Sequence, residues 1–123
     1  KVTEMAPGTH DGIFAAVSHL PHLLSFALVD QIAGRANADE LFSYAASGFR
    51  DFTRIAGSSP EMWRDICLAN REALLRELDA YRDQLSHLRD LLERGDGAGL
   101  EEVFSRASRA RSEWIGGQRN EKQ

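Results

Sequence analysis

Cysteine is almost missing from this chain. Cys67 stands alone among 123 residues, so no internal disulfide can form and a reducing compartment is favoured. It lies between Ile66 and Leu68 in a helical pattern with no histidine or basic residue beside it, and reads as a packed core thiol rather than a nucleophile. Sheet-forming sequence is missing after residue 5; only Lys1 to Met5 has a strand-like flavour. No G-x-G-x-x-G run occurs, which excludes dinucleotide binding by that device. A cationic face is missing as well. The formal net charge is -4 and the arginines alternate with acids, so a nucleic-acid surface is excluded. No basic-plus-apolar leader opens the chain, and no internal repeat or low-complexity tract is found.

What is present fits one ordinary globular domain, 42% hydrophobic and 28% charged. The dominant feature is an apolar run from Ile13 to Ala33. Ile13, Phe14, Val17, Leu20, Leu24, Leu28 and Ile32 recur at steps of three and four, and Leu23, Phe26, Ala27 and Val29 fill much of the other side. We expect one helix from about His10 to Ala33, with Thr9 as N-cap and Gly34 as stop. A helix apolar nearly all round is covered by other elements or by another subunit. Ser18, His19, His22, Ser25, Asp30 and Gln31 interrupt the run, and such a segment inserts poorly into a membrane.

Downstream, Asp39-Glu40 open a short helix through Tyr44, and Phe49 to Ile55 reads as another. Ser59 as N-cap with Pro60 at the first helical position is a strong start signal. From Pro60 the pattern is helical to about Arg94, with a coiled-coil-like seam of Leu74, Leu78, Tyr81, Leu85, Leu88 and Leu92. Gly95 to Gly99 ends that helix. A last one runs from about Leu100 to Trp114, with Leu100, Val103, Phe104, Ala107 and Trp114 inward. The chain is therefore all-α, with two long helices and several shorter ones.

Ser18-His19-Leu20-Pro21-His22 violates its surroundings. Two imidazoles and a helix-breaking proline sit inside a segment that otherwise reads as core, and such violations gather at functional sites. Each histidine also has a packing explanation, with one ring nitrogen satisfied within the helix pair. The His-x-x-His spacing could seed a metal site, but no third or fourth ligand follows at a supporting distance, so no metal is expected. A second cluster is Gly48-Phe49-Arg50-Asp51-Phe52-Thr53-Arg54. Arg50 and Arg54 are four apart on one helix face, able to present guanidinium forks to an anion or to join Asp51 in a surface network. Trp63 can pack or wall a pocket beside Arg54. His10-Asp11 suits a helix start, and His87 falls on a wet face.

Taken in order, Met5-Ala6-Pro7, His10-Asp11, Ser18-His19-Leu20-Pro21-His22, Gly48 to Ala56, Ser59 to Ile66 and Asn70-Arg71 resemble the C-terminal helical domain of prephenate dehydrogenases, enzymes of tyrosine biosynthesis. The resemblance runs from about Met5 to Trp114. It implies a helical dimerisation domain like the C-terminal domain of 6-phosphogluconate-dehydrogenase-type enzymes, forming a homodimer in the cytoplasm. It implies an activity: oxidative decarboxylation of prephenate (arogenate in some members) with NAD or NADP bound by a separate Rossmann domain. It also implies roles. His22, Arg54, Trp63 and His19 bind substrate, Arg54 meeting a carboxylate; Asp51 and Arg50 form an ionic gate; the catalytic histidine and the nucleotide site have no counterpart in this chain. On this reading residues 1–8 are the tail of a missing Rossmann domain, 9–115 the helical domain and 116–123 a frayed tail. The chain is then an inactive fragment that binds no cofactor, membrane or nucleic acid. A structural dimer module with idle pocket residues and a tyrosine-sensing domain are the competing readings.

Overall fold

The computed structural model describes residues 7–122, with side chains from 8 to 117; the strand-like segment Lys1–Met5 lies outside them. The chain divides into two compact units, Lys1–Ala80 and Tyr81–Gln123. Among the described residues there is no strand, and the all-α expectation holds.

The first unit opens with α1 (Pro7–Phe14), a π-helical turn (Ala15–His19) and α2 (Leu20–Ala33), which follow without a break. The expected single helix is thus present but has a widened turn in its middle. The cause is Pro21. It has no N–H to donate and its ring crowds the carbonyl four residues back. In the widened turn the Leu20 N–H reaches five residues back to the Ala15 carbonyl. Pro7 already belongs to the helix, so Thr9 lies inside it and is not its N-cap. Gly34 does stop it, with an ordinary right-handed backbone (φ -79°).

The widened turn also changes which residues are inside. The expected stripe of Ile13, Phe14 and Val17 is exposed, Val17 to 68%, whereas Ala15, Leu20 and Ser25 are buried. The stretch Gly8–Ala33 is long and apolar enough to cross a membrane, with a mean hydropathy of 1.6; core helices of soluble proteins share that property.

Next come α3 (Ala38–Ser43), α4 (Ser47–Thr53) and a 3-10 turn (Arg54–Gly57), both α4 and the 3-10 turn packing on α2. α5 (Pro60–Ala69) begins as expected: Pro60 is at N1 and the Ser59 hydroxyl accepts the Met62 N–H at 3.2 Å. The expected continuous helix from Pro60 to Arg94 is broken at Asn70 (φ -119°, ψ 35°), and α6 (Arg71–Glu93) starts after it. Asparagine offers the backbone a competing side-chain partner and is a poor helix-interior residue. Trp63, Ala73 and Leu74 complete the buried set of this unit.

The second unit contains the end of α6 and α7 (Gly97–Lys122). Gly95 adopts φ +63°, the left-handed conformation that favours glycine. The Asp96 N–H returns to the Leu91 carbonyl at 2.9 Å and the Gly95 N–H to Leu92 at 3.1 Å, a Schellman closure. The Asp96 carboxylate then accepts the Gly99 N–H at 2.9 Å and caps α7. The seam is displaced by one residue at its end: Leu91 is buried and Leu92 is 66% exposed. α7 continues past Trp114 to Lys122, and its expected inward residues Phe104, Ala107 and Trp114 are exposed. Trp114 is instead covered by Arg111, 4.7 Å above the ring.

Candidate functional site

The Ser-His-Leu-Pro-His segment carries its imidazoles to one aromatic wall. His22, on the first turn of α2, stacks on Trp63 of α5 with ring centroids 3.7 Å apart and planes 14° from parallel. His19, at the end of the π turn, meets the same indole edge-on at 6.0 Å and 77°. Trp63 is buried to 9% exposure and comes to this place through the Ser59–Pro60 helix start.

The polar atoms of the rings have specific partners. His22 Nδ1 lies 2.9 Å from the Ser18 carbonyl. A carbonyl can only accept, so Nδ1 carries the proton and, in the neutral ring, Nε2 is a bare acceptor. His19 Nδ1 lies 3.2 Å from the Asn70 carboxamide nitrogen, which also donates to the Asp11 carbonyl at 2.9 Å. The His19 pKa is lowered, first by desolvation and then by the neighbouring His22, with the Asp11 carboxylate opposing. It therefore stays neutral to lower pH than a free imidazole.

A cleft of about 370 Å³ opens beside these groups, lined by His10, Asp11, Phe14, His19, Ile66 and Asn70 among others. Trp63 itself lines a second, apolar cleft of about 390 Å³ with Leu23, Phe26, Pro60, Arg64, Cys67 and Leu68. Cys67 is half-buried there rather than fully packed, and burial pushes its thiol pKa up. A raised pKa keeps the thiol protonated, which disfavours the nucleophilic thiolate.

The arginine cluster sits on the adjoining segment. Arg50 and Asp51 are exposed on α4, and Arg54 is exposed at the start of the 3-10 turn. None of the three lines either cleft, and neither does His22. The side chains of the three make no hydrogen bond or ion pair among the described residues, so the surface network that Asp51 could have formed with its arginines is not made. What ties their segment down is Ser25. Its hydroxyl, wholly buried in α2, donates to the Phe52 carbonyl at 3.1 Å. Thr53 closes the end of α4 by donating to the Phe49 carbonyl at 2.7 Å.

His19, His22 and Trp63 are thus brought together, and the arginines are carried on the segment packed next to them. Ser25 and Asn70 were not singled out as site residues. Both are polar interruptions of otherwise helical, apolar patterns, and that interruption was the available signal.

The site is thus a histidine pair against a tryptophan, with exposed cations on a tethered neighbouring segment. Comparison with known proteins narrows the class. Residues 6–106 match the family model described as the prephenate dehydrogenase dimerization domain, and the chain belongs to that family. Prephenate dehydrogenase of Bacillus subtilis strain 168 is 41% identical over 105 residues, which is 85% of this chain and 28% of that protein. Among solved structures, prephenate dehydrogenase from A. aeolicus, in complex with hydroxyphenyl propionate and NAD+, superposes with a TM-score of 0.86 at 41% identity, covering 92% of this chain and 40% of that one. Arogenate dehydrogenase from Synechocystis gives a TM-score of 0.85 at 32% identity, covering 93% and 42%. The chain therefore spans less than half the length of each.

Proposed function

We propose that this chain is the dimerisation and substrate-binding part of a cytoplasmic, NAD-dependent dehydrogenase that oxidatively decarboxylates prephenate or arogenate in tyrosine biosynthesis. The observation that carries the reading is the two-histidine, one-tryptophan wall, on a domain of this family and beside a segment bearing unpaired arginines. Prephenate offers a hydroxylated ring and two carboxylates, which call for a flat apolar wall, imidazole donors and a guanidinium.

The division of labour follows from the atoms. Trp63 backs the His22 imidazole, which offers its outer face to the substrate ring. His22, its Nδ1 proton committed to Ser18, accepts a hydroxyl proton at Nε2 when neutral and grips a carboxylate there only as an imidazolium. Arg54 supplies a permanent positive charge for a carboxylate, and Asp51 with Arg50 forms the polar rim. NAD would supply the acceptor for the hydride lost from the hydroxyl-bearing ring carbon as carbon dioxide leaves. In this reading nucleotide binding is assigned to sequence outside this chain, which spans less than half the length of its dehydrogenase relatives. This domain's contribution to rate is positioning. The exposed apolar face of Gly8–Ala33 is covered by the same helix of a second copy.

Arg54→Ala in the complete protein tests the site. Losing the charged partner of a carboxylate in a closed site weakens substrate binding by roughly 2–4 kcal/mol. The expected readout is a raised Michaelis constant for prephenate with the fold intact. An unchanged constant would show the pocket residues to be idle and leave a purely structural dimer module.

A further inference from the structure

Asn70 interrupts the α5–α6 run, and its carboxamide nitrogen is used twice. The Asp11 carbonyl at 2.9 Å accepts and cannot donate, which fixes the end of the carboxamide facing it as NH2. The same nitrogen lies 3.2 Å from His19 Nδ1. A ring nitrogen facing an NH2 group must be bare, so the neutral His19 ring holds its proton on Nε2. His22, three residues on, is locked the other way, with its proton on Nδ1 against the Ser18 carbonyl. The two imidazoles on the Trp63 wall therefore have opposite tautomers, each set by a named partner.

We propose that Asn70 is a positioning residue: it fixes His19 as a neutral, Nε2–H hydrogen-bond donor, so that the histidine pair offers one donor and one acceptor nitrogen to the ligand. An oxygen of the substrate, hydroxyl or carboxylate, is the acceptor that Nε2–H suits. That clause rests on the proposed function; the tautomer does not.

Three observations support the assignment. A simple brace between α1 and the helix break would need only the Asp11 bond, yet the second N–H is aimed at the ring. Protonating Nδ1 would set N–H against N–H, so the amide opposes the imidazolium. Burial and the nearby His22 act in the same direction on His19, against Asp11. The groups facing the ring are accordingly Asp11 and His10 from α1, His22 from α2, and the uncharged Trp63 and Asn70 from α5 and its end.

The test begins on the chain itself, labelled with 15N-histidine, because two-bond 1H–15N correlations separate the tautomers of its four histidines. With assignment by single substitution, His19 is expected as Nε2–H and His22 as Nδ1–H at neutral pH. A mixture of tautomers at His19 overturns the proposal without any variant at Asn70. Asn70→Asp replaces the donor by an acceptor and is expected to move the His19 proton to Nδ1 and to raise its titration midpoint. Asn70→Ser, a smaller change, is expected to release the ring into exchange between tautomers. Unmoved His19 resonances in either folded variant overturn the proposal. In the complete protein, Asn70→Asp is expected to lower kcat/KM and to move the acid limb of its pH profile upward. A merely structural Asn70 would lower thermal stability and leave that limb in place. If the tautomers prove as assigned but the limb does not move, the donor role fails. If Arg54→Ala is silent as well, the proposed function fails with it.

Discussion

Replacing Ser25 by alanine isolates the tether between the histidine helix and the arginine segment. Ser25 has no exposed surface, and its hydroxyl is the donor to the Phe52 carbonyl at 3.1 Å, 27 residues along the chain. Removing the oxygen deletes one buried hydrogen bond, about 0.5–1.5 kcal/mol net, and leaves a carbonyl short of a partner, which adds to the loss. Alanine returns part of this, because it outranks serine as a helix former by a few tenths of a kcal/mol or about that. The balance is a destabilisation of roughly 1–2 kcal/mol. With a urea slope of about 2 kcal/mol per molar, in the middle of the usual range for small proteins, the midpoint should fall by roughly 0.5–1 M at fixed protein concentration, with the slope unchanged. The loss should also be local. Backbone amides of residues 49–57 should exchange faster, while those at the end of α6 keep their protection. An unchanged midpoint, or faster exchange spread evenly over the chain, would refute the view that this hydroxyl holds the arginine segment in place.

Two further outcomes follow. Because the folded-state pKa of His19 is lowered, the unfolded chain binds more protons on the acid side of neutrality. Stability should therefore be full above the ordinary imidazole pKa of about 6.5 and decline as pH falls from there toward the depressed folded value. His19→Gln should flatten that decline in denaturation midpoints measured across the interval, and an equally steep decline would contradict the assignment. Val17→Asp places a charge on an apolar side chain that is 68% exposed in one copy. If a second copy covers that face, sedimentation should change from dimer to monomer at micromolar concentration with helicity retained; an unchanged oligomeric state would move the interface elsewhere.

The sequence made the helix inventory legible where signals are local. Ser59 and Pro60 announce a helix start through atoms within one turn, and the Ser59 hydroxyl meets the Met62 N–H as that signal requires. Gly95 marks a stop through its own left-handed backbone. His19, His22 and Trp63 were legible as a motif, and packing brings them into contact. What stayed hidden depends on phase and on distant partners. A periodicity count assumes one helical repeat throughout, so it merged Ile13, Phe14 and Val17 with Leu20 and missed the change of register between them. The same assumption set Leu92 rather than Leu91 inside. Asn70 read as one more residue of a long helix, because its bonds are to Asp11 and His19, more than fifty residues back. For Arg54 the sequence supplied a position on a helix face but no partner, and in the folded chain it is exposed.

The proline and the asparagine belong to one device. In a continuous α-helix, residues eight apart, such as Asp11 and His19, differ by about 80° around the axis and cannot both face a single carboxamide. A turn closed five residues back advances less per residue than an α-helical turn, so the steps from Ala15 to His19 bring the His19 ring round toward the side where the Asp11 carbonyl stands. Asn70 then reaches both with one nitrogen. Pro21 is what makes the wide turn preferable to the regular one, since a regular turn would leave the Val17 carbonyl against its ring with no N–H to satisfy it. A residue that touches no ligand thereby decides where the histidine ahead of it points. Placing it between two imidazoles couples the shape of the backbone to the chemistry of the wall that the pair forms with Trp63.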